Sequence, residues 1–195
     1  MDSNTSIPKQ LENATGGLFL MAIFTAVWIL IAETALQGRD YWALGVVFGI
    51  IIVYFVINYN RLNKISQSLS KEPMVETQTE KAKTKRFYCI FAIEGIAIFV
   101  MKNVLLNIGH DNLFFPFFAL IVGLHFFPLA KLFNRGFYYA IGGWICLVAI
   151  AGFILTYQPV PVYMPAAIIG IGCALATAIN GIRMIRQGNL LIKQT

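Results

Sequence analysis

The chain alternates between long apolar runs and short polar breaks. Six of the runs, residues 17–36, 41–59, 87–106, 114–133, 137–157 and 166–182, fall in the range of about 17–25 residues that a helix needs to cross a bilayer. The breaks between them are mostly tight: QGRD after the first run, NIGHDN after the third, a turn at 134–136, and the uncharged QPVPVYMP, whose prolines interrupt a helix. The one long break, residues 60–86, is polar and rich in Lys and reads as a solvated connector, with a first half able to prolong the second helix. The pattern predicts an all-α fold, an integral membrane bundle of six transmembrane helices, in a single transmembrane domain over residues 1–195.

The pattern also suggests three consecutive helical hairpins, each an outer turn joining an outward helix to an inward one. The second helix of each ends alike, in INYNRL, PLAKLF and INGIRMI. A true triplication and the common habit of spans to end on a base both produce this likeness.

Composition agrees with the pattern. Of 195 residues, 58% are hydrophobic and 12% charged, about half the charged share of a soluble domain. Residues 1–16 are polar and lack the short apolar core of a cleavable signal peptide, so the first span is expected to serve as the insertion signal. All but two of the 15 Lys and Arg residues lie in the N-terminal segment, the 60–86 connector, the region around the fourth turn and the tail; Arg39 and Lys102 are the exceptions. Cytoplasmic loops carry the Lys/Arg excess, so both termini are expected in the cytoplasm. The same distribution accounts for the net charge of +6 without nucleic acid, for which no motif is present.

Ionisable residues inside the spans are the candidate chemistry, because a charge in hydrocarbon usually faces a partner or a hydrated cavity. From the ~1.5 Å rise per residue, Glu94 lies ~10 Å and His125 ~12 Å from the same ends of spans three and four. This depth match predicts a carboxylate–imidazole pair, a ligand or ion site with Glu94 and His125 able to relay protons or bind a cation. The same estimate puts Glu33 at ~24 Å and Lys102 at ~22 Å, which predicts an outer polar pair. Each pair has a structural alternative: a hydrogen bond fixing helix register for Glu94 and His125, and an interfacial ion pair for Glu33 and Lys102. Pro128 is expected to kink span four and free a carbonyl near His125. Asn58 and Asn180 read as helix-end polar groups. Cys89, Cys146 and Cys173 have no metal or disulfide spacing and read as buried small apolar residues.

Two small-residue stripes, Gly45 and Gly49 in the second span and Ala166, Gly170, Ala174 and Ala178 in the sixth, suit close helix packing. They serve either the bundle itself or a homo-oligomer. His110 with Asp111 is too little for a metal site. No catalytic motif is present, no catalytic residue is assigned, and no cofactor or metal is expected.

The segment ALIVGLHFFPLAKLFNRGFYYAIGG, residues 119–143, resembles a block in an uncharacterised family of small bacterial multi-spanning membrane proteins. There one span carries a Gly-x-His-Phe-Phe-Pro pattern, matched here by Gly123, His125, Phe126, Phe127 and Pro128. The resemblance covers about an eighth of the chain. It implies a bacterial inner (plasma) membrane location and no known activity. The functional expectation is a small channel, transporter or ligand-binding module with a buried Glu/His site. The alternative is a structural or assembly protein whose intramembrane polar pairs only fix helix packing.

Overall fold

A computed structural model describes residues 7–69 and 78–193. It contains six long helices: α1 (Ile7–Leu36), α2 (Ala43–Leu69), α3 (Gln78–Asn107), α4 (Phe114–Phe133), α5 (Phe137–Thr156) and α6 (Met164–Ile192). A single 3-10 turn, Asp111–Leu113, leads into α4, and no strand occurs among the described residues. All six helices are long and apolar enough to cross a membrane.

The first and last helices form the axis of the bundle. Along α1 the buried positions Leu11, Ala14, Leu18, Met21, Thr25, Trp28 and Ala32 alternate spacings of three and four. That is the seam of a helix packed lengthwise on a partner. The partner is α6, which runs antiparallel. A Cβ on Gly188 would meet Leu11, one on Gly17 would meet Met184, and one on Gly170 would lie 2.7 Å from the backbone of Trp28 and Ala32. Between these points the hydroxyls of Thr25 and Thr177 stand 2.9 Å apart and Asn180 Nδ2 lies 3.1 Å from Met21 Sδ. Small residues on α6 allow this approach, since a side chain at Gly170 would push on main chain rather than on a rotatable group.

α2 packs on α1 and α6, with Phe55 against Gly181 and Leu62 against Gly188. α4 and α5 meet so closely that a Cβ on Gly142 would lie 2.8 Å from the carbonyl of Gly123. α5 joins α6 through Trp144 Nε1, which donates to the carbonyl of Gly172 at 2.9 Å.

Three boundaries differ from the sequence expectation. α1 starts ten residues earlier than the 17–36 run, the later part of the 60–86 connector is helical over 78–86, and the tail is helical to Ile192, while α2 is prolonged to Leu69 as the first half of the connector allows. Residues 70–77 of the connector lie outside the described residues. At the ends of α1, α2 and α6 the cause is an apolar stripe too sparse to stand out in hydropathy: Leu11, Leu62, Ile185 and Leu191 are buried against one another's helices, and Arg61 Nη2 donates to Asn189 Oδ1 across α2 and α6. Packing of such a stripe, rather than propensity, holds most helices. The ends of α1, α2 and α6 thus continue the bundle on the side of the chain termini.

The small residues divide. Gly170, Ala174 and Ala178 are buried within the chain and Gly45 abuts Glu33, whereas a Cβ on Gly49 would meet nothing within 4 Å. The stripe on α6 is consumed by internal packing. Of the cysteines Cys173 is buried, Cys146 half-buried and Cys89 exposed, so the expectation of burial fails at Cys89, which lies on the outward face of α3.

Candidate functional site

α3 is the least embedded helix. Among its residues only Glu94 and Leu105 are buried, while Ile93, Ile96 and Phe99 are more than 60% exposed. It lies antiparallel to α4 along a narrow seam, with Phe87 beside Phe133 at one end and Lys102 near Phe114 at the other. A carboxylate therefore occupies the middle of the seam where an apolar residue is the ordinary choice.

That carboxylate meets His125. Glu94 Oε1 lies 3.2 Å from His125 Nδ1, and the two side chains are 8% and 6% exposed. The distance is that of an ion pair, but the orientation falls outside hydrogen-bond alignment, and Nδ1 has no aligned partner among the described residues. Aromatic rings surround the pair. Phe91 stands edge-on to the imidazole at 5.6 Å, Phe126 lies 4.5 Å from it, and Phe24 of α1 stacks on Phe91 at 6.4 Å. Removing a carboxylate and an imidazole from water into such a shell costs several kcal/mol per ion if both are charged. A single proton shared across the pair keeps its net charge at zero.

α4 runs through Pro128 as one helix. Proline has no N–H to offer the carbonyl four residues earlier, so Leu124, next to His125, lacks its helical donor. A main-chain acceptor thus lies one residue from the imidazole.

The expected Glu33–Lys102 pair does not form. Glu33 is 5% exposed and turns toward α2, where its Oε1 accepts the N–H of Gly45 at 2.5 Å. Asp40 serves the same helix end, accepting from Trp42 at 3.2 Å and Leu44 at 3.1 Å. The first N–H groups of a helix lack internal partners and sit at its positive end, which draws carboxylates. Glycine at 45 lets the carboxylate close on this N–H, as a Cβ there would stand 2.9 Å from the Glu33 oxygen. Lys102 is exposed on α3, with Nζ 6.0 Å from the centre of the Phe114 ring. Glu33 Oε2 is buried with no hydrogen-bond partner among the described residues.

Asn180 is a second correction. Because α6 continues to Ile192, Asn180 is 2% exposed in the α1–α6 interface and not at a helix end. With Thr25 and Thr177 it makes a short polar ladder in the bundle axis. The signal for it was the heptad spacing of Thr25 in α1 and of Thr177 in α6. Asn58 is likewise buried in mid-helix, donating to the carbonyl of Tyr54 at 2.9 Å. No group of three or more His, Cys, Asp or Glu suited to a metal occurs among the described residues.

These features define a polytopic, all-helical membrane protein with one deeply placed carboxylate–imidazole pair. Neither family models, nor curated proteins, nor solved structures provide a match to the chain.

Proposed function

We propose that this is a small channel, transporter or ligand-binding membrane protein in which Glu94 and His125 bind a proton or a cation. The observation that carries the reading is the position of the pair: a carboxylate and an imidazole 3.2 Å apart, buried, at the seam of the least embedded helix. Ionisable residues at such depth commonly mark proton relays and ion paths. An imidazole exchanges protons near neutral pH, and a peripheral helix moves against its neighbour at lower cost than one packed on all sides. The Lys/Arg distribution supports cytoplasmic termini, and the Gly-x-His-Phe-Phe-Pro block supports a bacterial inner-membrane location.

The test is flux of protons and alkali cations into liposomes containing the parent protein, Glu94→Gln or His125→Gln. Flux in the parent that both substitutions abolish, with melting unchanged, is the expected result.

A second reading is favoured by one specific observation: α3 buries little besides Glu94 and Leu105. In it the pair fastens α3 to α4 and sets their register. It predicts no flux in any form and a large loss of stability for either substitution.

A further inference from the structure

We propose that the N-terminal stem of α3 binds the anionic headgroups of the adjoining leaflet, and that this contact holds the helix in place where protein packing does not. The proposal does not depend on the function assigned to Glu94 and His125.

The stem is the helical stretch 78–86, which precedes the first ring of the seam, Phe87. It carries Lys81, Lys83, Lys85 and Arg86 against the single acid Glu80. Of these, Lys81, Lys85 and Arg86 are exposed. No residue of the stem is buried, so unlike the ends of α1, α2 and α6 it contributes nothing to a packed core. Phe87 meets Phe133, and Phe133 lies between Lys131 and Arg135 at the α4–α5 turn. The end of the α3–α4 hairpin is therefore ringed by bases from both helices.

Geometry favours a lipid surface over an acidic polypeptide. Lys81 is six residues before Phe87, ~9 Å along the helix axis, and the other three bases are nearer. All four thus lie within about one Debye length of the membrane surface at physiological salt. Clusters of four or more bases directly beside a span bind anionic headgroups for this reason. α3 has most to gain, since its grip on the protein is a narrow seam on α4 and the ring contact of Phe91 with Phe24 of α1.

The experiment compares amide hydrogen exchange over residues 78–93 for the full chain in nanodiscs of phosphatidylcholine alone and of phosphatidylcholine with phosphatidylglycerol. The expected result is exchange about tenfold slower with the anionic lipid, with the difference lost at high salt. A K81Q/K83Q/K85Q/R86Q variant is expected to exchange alike in both lipids, whereas K81R/K83R/K85R keeps the response. Equal exchange of the parent in both lipids overturns the proposal and leaves the bases to an acidic protein segment. A lipid response that survives the four glutamines also overturns it, by placing the lipid contact elsewhere.

Discussion

His125 Nδ1 lies 3.2 Å from Glu94 Oε1 across the seam between α3 and α4, a buried polar link between the least embedded helix and the bundle. The residues on either side of it in the seam are rings, Phe87 and Phe91, and an aliphatic side chain, Leu105. Glu94→Leu therefore replaces a carboxylate by a residue that suits the site's surroundings but strands the imidazole. The expected outcome is a loss of about 1–3 kcal/mol from the unpaired buried group, and Glu94→Leu with His125→Leu together should recover most of it. Unfolding of the single and double variants in detergent measures both.

The α1–α6 axis makes a sharper packing prediction. Gly170→Ala places a Cβ 2.7 Å from the Trp28 carbonyl and the Ala32 nitrogen, atoms that move only with their helix. It should lower stability by about 1–3 kcal/mol, as overpacking does. Gly49→Ala, with open space around the site, should be neutral or stabilise by up to about 1 kcal/mol through helix propensity. Comparing the two by thermal unfolding checks the placement of α6; equal effects would contradict it.

The polar ladder in the same interface has its own test. A double-mutant cycle on Thr25→Val and Thr177→Val should give a coupling of about 0.6 kcal/mol, the average for hydrogen bonds between membrane helices. Additive effects would mean that the hydroxyls 2.9 Å apart do not interact.

At the far end of α1, Glu33 caps α2 and is unconnected to Lys102. Glu33→Ala should cost about 0.5–2 kcal/mol, the range for loss of a helix cap. Lys102→Gln should change stability by less than about 0.5 kcal/mol. The double variant should be additive to within about 0.5 kcal/mol, as for separated sites. A larger coupling in the cycle would restore the ion pair that the structure lacks.

Much of this arrangement is legible in the sequence, and the parts that are not share a cause. Hydropathy locates six spans because lipid-facing helices must be apolar all round. It misses the helical ends at 7–16 and 183–192, where a few apolar positions such as Leu11 and Leu191 form a stripe on an otherwise polar helix, and the stem at 78–86, which is helical with no buried residue. Depth counted along the helices brings Glu94 and His125 together because they lie on sequential antiparallel helices that share one seam. The same count misleads for Glu33 and Lys102, because depth fixes height and not azimuth. Glu33 faces α2, and Lys102 belongs to a helix packed on α4. Asn180 reads as a helix end when the span stops at residue 182, and becomes an interior position because α6 continues to Ile192.

The most direct test of the central claim is proton flux through liposomes containing the parent or Glu94→Gln, read beside the melting temperature of each. Measurable flux is expected for the parent and none for Glu94→Gln, with both proteins melting together. Absence of flux in both, with melting of Glu94→Gln lowered, would contradict it and make the Glu94–His125 pair a fastening for α3.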